Sequence, residues 1–124
     1  MPDRRYTRSH EWVEAGTSEV RVGITDFAQG QLGDVVFLEL PTAGRELVPG
    51  ESFGVIESVK AASDLYAPVA GTVLESNTHL LDHPELVNED PLGEGWLIRI
   101  SLSGELPGDL LDENAYQAFI RESA

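Results

Sequence analysis

Hydrophobic residues along the chain fall in short runs that alternate with polar positions, a pattern typical of β-strands. The runs are rich in Val, Ile and Phe and are separated by turns that contain Gly and Pro. The predicted strands cover Glu19–Ile24, Asp34–Leu40, Ser52–Glu57, Gly71–Glu75 and Trp96–Leu102. Many short strands divided by turns predict an antiparallel sandwich or barrel.

Helical signals are confined to three places. Thr25 is a suitable N-cap for a short helix that Gly33 would end. Near the C-terminus, apolar residues recur at helical spacing behind Asp112, which predicts an amphipathic helix over about residues 112–122. Pro84–Val87 is expected to form one further turn. The chain is therefore expected to be mainly β, with short peripheral helices and a C-terminal helix.

Length and charge restrict the class of protein. A chain of 124 residues predicts one domain, 1–124. No apolar run approaches the roughly 18 residues of a membrane span, so no membrane association is expected. The formal net charge of −14 would repel a phosphate backbone, which argues against nucleic-acid binding. Such a surface favours protein partners with basic patches, although the same charge also serves solubility.

The counts of cysteine and lysine carry further information. Cysteine is absent, which excludes disulfides and thiolate chemistry and favours the cytoplasm. Lys60 is the only lysine, beside seven arginines. An amine can accept an acyl group, whereas a guanidinium does not, so this single amine is a candidate for modification. The alternative explanation is a general bias toward arginine that leaves one solvated lysine in a hairpin.

The neighbours of Lys60 predict where it lies. Strand-like runs stand on both sides of it, so a hairpin is expected over about residues 52–67 with Lys60 at its tip. Small side chains beside the lysine would leave its amine open to an incoming enzyme. These neighbours are Ser58, Ala61, Ala62 and Ser63.

Two other motifs give little support for a hydrolase or a metal site. Gly50 to Gly54 matches the G-x-S-x-G pattern of serine hydrolases, but a turn precedes it and a strand, not a helix, follows. His79 and His83 are four residues apart, as in some metal sites, but they lack a third ligand of matching pattern and lie in what is expected to be a polar loop. We therefore expect neither a metal site nor a catalytic set, and the chain is expected not to be an enzyme.

Five stretches of the sequence resemble the H proteins of the glycine cleavage system. They cover nearly the whole chain, and two segments in them are highly specific: Glu-Ser-Val-Lys-Ala around Lys60 and Asn-Glu-Asp-Pro from Asn88. Phe27 and Leu92 stand where the family often has Tyr, so a tyrosine hydroxyl is absent at both positions. The matching stretches are Tyr6–Trp12, Val22–Gln29, Leu32–Pro41, Glu57–Pro68 and Pro84–Ile98.

The resemblance implies a fold and a function. The fold would be that of a lipoyl domain, a flattened barrel of two antiparallel sheets with peripheral helices. Lys60 would carry lipoate in amide linkage, added by lipoyl-attaching enzymes. The arm would take an aminomethyl group from a pyridoxal-phosphate glycine decarboxylase to a tetrahydrofolate-dependent aminomethyltransferase. Dihydrolipoamide dehydrogenase would then reoxidise the dithiol. The protein would act as a cytoplasmic monomer.

The resemblance also implies a surface cleft that shelters the loaded arm. The loaded amine is cationic near neutral pH, and a carboxylate in the cleft would hold it by a charge-assisted hydrogen bond. By their positions in the matching motifs, Glu11 and Asp64 are the candidates.

Other carriers remain as alternatives. A biotin carrier normally presents Met-Lys-Met, whereas Val59 and Ala61 flank the lysine here. A lipoyl domain of a 2-oxo acid dehydrogenase usually presents Asp-Lys-Ala on a longer chain. A third alternative is a lipoyl relay protein, which passes lipoate to other enzymes.

Overall fold

The computed structural model describes residues 3–15, 19–104, 108 and 110–123. Nine strands and four helices make up this part of the chain. The strands are β1 Asp3–Tyr6, β2 Glu11–Ala15, β3 Glu19–Ile24, β4 Val35–Glu39, β5 Glu46–Leu47, β6 Ser52–Ser58, β7 Ala62–Tyr66, β8 Gly71–Ser76 and β9 Ile98–Leu102. The helices are α1 Asp26–Leu32, α2 His79–Asp82, α3 Leu86–Glu89 and α4 Glu113–Ser123.

The strands form two antiparallel sheets, as expected. The larger has six strands in the order β1-β2-β3-β9-β8-β5, and the smaller has three in the order β4-β6-β7. The main core consists of apolar side chains contributed by both sheets, among them Val22, Leu38, Ile56 and Ile100. Burial of one face of each strand explains the alternating pattern of the sequence.

Two of the predicted helices are confirmed in detail. The Thr25 hydroxyl accepts the N–H of Ala28 and caps α1, which ends at Gly33. The C-terminal helix α4 is capped by Asp112, whose carboxylate accepts the N–H of Ala115 at 2.8 Å. Tyr116 of α4 is buried in a second cluster with Tyr6 and Trp12, which fixes this helix on the large sheet. At 11 residues, α4 is the longest helix in the described ranges, and none of them could span a bilayer.

Other elements differ from the sequence-based expectation. The segment around His79 was expected to be a loop, but it forms α2, because Leu80 at its second position is fully buried and anchors the turn. The single helical turn expected over Pro84–Val87 is present but lies two residues later, as α3. The strands β1 and β5 have no clear hydrophobic alternation. They are held instead by pairing with β2 and β8.

The hairpin of β6 and β7 carries Lys60. Its register places Glu57 opposite Ala62 and Ile56 opposite Ser63, which leaves a tight connection between Ser58 and Ala62. On its other edge β6 pairs with β4. The lysine therefore lies in the turn that joins β6, the central strand of the small sheet, to the edge strand β7.

Candidate functional site

Lys60 lies in a turn whose backbone is held by one side chain. The Ser58 hydroxyl accepts the N–H groups of Lys60 and Ala61 at 3.1 and 3.2 Å. The backbone N–H of Ser58 bonds to the Ala61 carbonyl at 2.8 Å, and that of Val59 to the Asp34 carbonyl at 3.0 Å. The turn is thus tied both within itself and to the segment before β4. A fixed backbone presents the long lysine side chain to solvent.

The Lys60 side chain lies over the end of α1. Gly33, which terminates that helix, has a φ of +79°, a conformation that favours glycine. A Cβ atom there would lie only 3.3 Å from Lys60 Cε and 3.8 Å from Nζ. Lys60 forms no ion pair with any residue in the described ranges. Its amine is therefore exposed and uncommitted, close to α1.

A cavity of about 370 Å³ adjoins the same helix. One wall is α1, another is the start of β2 with the residues before it, and a third is the hairpin. Apolar side chains line much of it, which suits an aliphatic chain. The lining residues are Ser9, His10, Glu11, Ile24, Phe27, Ala28, Gln31, Leu32, Ile56, Ser63, Asp64 and Leu65.

The structure thus brings Glu11 and Asp64 to one cavity, although they are 53 residues apart in the sequence. Lys60 is not among the lining residues. It lies at the tip of the hairpin that forms one wall, next to Gly33, which directly follows the lining residue Leu32. A group attached to Lys60 would therefore start beside the α1 wall of the cavity.

Glu11 is a buried carboxylate with an exposed fraction of 2%. Its Oε1 accepts hydrogen bonds from the hydroxyls of Thr7, at 2.7 Å, and Ser9. Its Oε2 accepts a longer bond, 3.4 Å, from the backbone N–H of Tyr66. Burial raises the pKa of Glu11 above its ordinary value, and these hydrogen bonds reduce the rise.

No cationic side chain in the described ranges forms an ion pair with Glu11. A buried carboxylate without a cationic partner is costly, so a cation that entered the cavity would be bound favourably. The low dielectric of such a place strengthens the attraction.

Asp64 differs from Glu11 in its surroundings. It lies in β7 and is exposed. Among the described residues, its side chain forms one hydrogen-bond contact, from the Tyr66 hydroxyl, and at 3.5 Å this contact is too long for a good hydrogen bond. At the cavity, Asp64 is therefore a solvated acid and Glu11 a buried one.

His10 also lines the cavity, although no motif in the sequence marks it as a site residue. Its φ is +70°, the only positive φ of a non-glycine residue among those described. The Tyr116 hydroxyl lies 2.9 Å from His10 Nδ1 and 2.6 Å from Thr25 Oγ1. Burial lowers the pKa of His10, which favours the neutral ring. Tyr116 thereby joins α4, the start of α1 and the cavity. Because His10 and Tyr116 are 106 residues apart, their contact could not be predicted from a local sequence pattern.

The two motifs set aside in the sequence have structural explanations. Ser52 of the G-x-S-x-G match is the first residue of β6, and no helix follows it. A Cβ atom at Gly54 would clash with the Glu39 carbonyl oxygen. Gly54 is therefore needed for the close approach of β4. His83 contacts Glu85 at 3.3 Å, and the described residues contain no group of three potential ligands that could hold a metal ion.

Comparison with known proteins gives matches over nearly the whole chain. The family model described as "Glycine cleavage H-protein" matches residues 4–123. The "Glycine cleavage system H protein" of Carboxydothermus hydrogenoformans is 52% identical over 121 residues, which cover 97% of this chain and 93% of the relative. The protein of the same description from Symbiobacterium thermophilum is 54% identical and covers 97% and 94%.

A solved structure extends the similarity to the fold. The crystal structure of a glycine cleavage system H protein from Mycobacterium marinum superposes with a TM-score of 0.89 at 38% identity. The match covers 100% of this chain and 99% of that one.

Proposed function

The chain belongs to the glycine cleavage H-protein family, whose members are carrier subunits rather than catalysts, and we propose that Lys60 is its lipoyl attachment site. The observation that carries this proposal is the placement of the only lysine at an exposed hairpin tip, beside a cavity that contains a buried, unpaired carboxylate.

The residues present fit a lipoyl group. The amine of Lys60 is exposed, so an attaching enzyme can reach it. Acylation removes its charge and makes it a long neutral tether. Ile24, Leu32 and Leu65 give the cavity an apolar lining for an aliphatic chain, and Glu11 supplies an acceptor for a cation. When attached, the group supplies the sulfur chemistry that carries the aminomethyl cargo of glycine.

In this proposal each residue has a separate task. Ser58 holds the turn so that Lys60 projects toward partners. Glu11 accepts a charge-assisted hydrogen bond from the cargo ammonium, and the apolar walls exclude water and strengthen that bond. Asp64 adds a second, weaker attraction from the hairpin side. The hydroxyls of Thr7 and Ser9 keep the Glu11 carboxylate oriented.

The proposed partners are those of the glycine cleavage system. A glycine decarboxylase with pyridoxal phosphate would load the arm, a tetrahydrofolate-dependent aminomethyltransferase would unload it, and dihydrolipoamide dehydrogenase would reoxidise it. The carrier unit is the chain 1–124, acting as a monomer in the cytoplasm. Tethering gives the arm a high effective concentration at each active site, so tight docking is unnecessary. The net charge of −14 assists each encounter.

The test is the mass of the protein isolated from its native source. One lipoyl group, mapped to the peptide that contains Lys60, is the expected result. A biotinyl group at Lys60 would move the protein to the biotin carriers, and an unmodified protein that lipoate ligase also leaves unmodified would overturn the proposal.

A further inference from the structure

The side chain of Asn88 makes three hydrogen bonds at the place where α3 meets the beginning of β4. Its Oδ1 accepts the backbone N–H of Val35 at 2.8 Å. Its Nδ2 donates to the Gly33 carbonyl at 2.8 Å and to Gln29 Oε1 at 3.1 Å. Since Val35 N–H can only donate and the Gly33 carbonyl can only accept, the network fixes the orientation of the amide.

These bonds bracket Asp34, the residue that supports the hairpin turn. The Asp34 carbonyl accepts the backbone N–H of Val59, directly before Lys60, at 3.0 Å. Gly33, on its other side, lies against the Lys60 side chain. Asn88 therefore holds the short segment 33–35, and that segment holds both the backbone and the side chain at the hairpin tip.

Asn88 itself is well anchored. It follows Val87, which is fully buried in the main core, and its own side chain is half-buried. The amide is thus a connection between the core and the segment 33–35, which itself pairs with the hairpin at Val35 and Ser58. Asn88 does not line the cavity, so the arm-binding site does not explain its three bonds.

We propose that Asn88 is a positioning residue that sets where the Lys60 amine stands when the lipoyl group is attached. The inference rests on the proposed function of Lys60. In the attachment step the neutral amine attacks the carbonyl carbon of an acyl adenylate held by the attaching enzyme. The C–N bond forms, the bond from that carbon to the adenylate oxygen breaks, AMP leaves, and the nitrogen loses a proton.

Such a step is sensitive to position because the reacting atoms must meet at about 3–3.5 Å, and a misplacement of about 1 Å can lower the rate as much as a hundredfold. The attaching enzyme docks on the folded surface of the carrier. A hairpin tip that shifts relative to this surface presents the amine wrongly without weakening the docking itself.

Asn77 provides a matched control. It is also half-buried, and its Nδ2 donates to the carbonyls of Glu94 and Trp96 at 3.0 and 2.9 Å, away from the hairpin. Asn88→Asp and Asn77→Asp each remove two donated hydrogen bonds and add one charge. They should lower the thermal midpoint to a similar degree, and only the first should disturb Lys60.

The experiment is single-turnover transfer from lipoate ligase preloaded with lipoyl adenylate to the unmodified full chain. For Asn88→Asp we expect the maximal transfer rate to fall about tenfold, with little change in the carrier concentration that gives half of it. Asn77→Asp should match the wild type. Asn88→Ala, which adds no charge, serves if Asn88→Asp does not fold.

Two further readouts separate positioning from reactivity. Acetylation of Lys60 by an N-hydroxysuccinimide ester needs no docking, so its rate should be the same in all variants. As Lys60 is the only lysine, its peptide reports this rate without interference from other side-chain amines. Hydrogen exchange at the Val59 amide should be faster in Asn88→Asp and unchanged in Asn77→Asp.

Wild-type transfer rates in both Asn88 variants, or an equal loss in Asn77→Asp, would overturn the inference. Failure of the wild-type protein itself to accept the lipoyl group would instead overturn the proposed function, so the two failures are distinguishable.

Discussion

Glu11 of the six-stranded sheet and Asp64 of the three-stranded sheet line the same cavity, yet Glu11 is 2% exposed and Asp64 is open to solvent. The two carboxylates are therefore unequal in how strongly they would hold a cation. Water screens the charge of an exposed group, whereas a buried charge acts through a medium of lower dielectric. Glu11 is therefore expected to hold a cation in the cavity more strongly than Asp64.

Glu11→Gln should shorten the lifetime of the aminomethyl cargo on isolated loaded protein. Release needs the lone pair of the cargo nitrogen, and an ionised Glu11 keeps that nitrogen protonated. A charge-assisted hydrogen bond contributes about 1.5–3 kcal/mol, so we expect release about tenfold or more faster. Asp64→Asn is the matched variant and should change the rate less than about threefold. Formaldehyde release over time measures both, and equal lifetimes in all three proteins would contradict the assignment.

The stability of the unloaded protein should depend on pH through Glu11. Burial raises its pKa in the folded state, so folding favours the protonated form. The resulting stabilisation is present below the unfolded pKa and is lost as the pH rises through the folded pKa. Glu11→Gln cannot titrate at this position. The free energy of unfolding of the wild type minus that of Glu11→Gln should therefore decrease as the pH rises from the unfolded pKa of a glutamate through the raised folded-state pKa of Glu11, as measured by urea denaturation. A difference that grows with pH would contradict the burial argument.

Lys60→Arg should abolish lipoylation and glycine cleavage together and leave stability within about 0.5 kcal/mol, because an exposed side chain at a turn buries little surface. Mass spectrometry and thermal denaturation check the two expectations. A useful control adds Val48→Lys, at a position that is 60% exposed beside another turn, to the Lys60→Arg protein. This second lysine should stay unmodified, because it lacks the turn that Ser58 and Asp34 hold. Full activity of Lys60→Arg would exclude a carrier role for Lys60.

Salt should weaken productive encounters with the partner enzymes. Raising the ionic strength from about 50 to about 500 mM shortens the Debye length from roughly 14 to roughly 4 Å, which screens the net charge of −14. The apparent KM of the decarboxylase for the carrier should rise, with little change in the rate at saturation. A KM that is independent of salt would assign the acidic surface to solubility alone.

Tyr116→Phe should destabilise the fold by about 1–3 kcal/mol, because it leaves the buried Thr25 hydroxyl and the half-buried His10 ring without their shared partner. Tyr66→Phe is the matched control. That hydroxyl is exposed and, among the described residues, forms one 3.5 Å hydrogen-bond contact, to Asp64, so its loss should cost less than about 0.5 kcal/mol. Denaturation in urea measures both. Equal effects would mean that the Tyr116 hydroxyl does not fasten α4 to Thr25 and His10.

Much of the local structure could be predicted from the sequence, because its causes are local. Alternation of apolar and polar residues specifies which segments are half-buried strands, as in β3 and β9. Thr25 and Gly33 determine where α1 begins and ends through a side-chain cap and a positive φ. The position of the only lysine between two strand-like runs predicts that Lys60 lies at the tip of a hairpin.

The tertiary structure alone decided which of these elements meet. Pairing of strands far apart in the sequence divides them between two sheets and brings Glu11 to Asp64. Burial of the Glu11 carboxylate, the bonds from Asn88 to segment 33–35 and the Tyr116 bridge depend on packing between distant segments. Local sequence patterns do not predict such contacts. An Asn or Glu that is buried and hydrogen-bonded in the fold has the same local sequence pattern as one that is exposed to solvent.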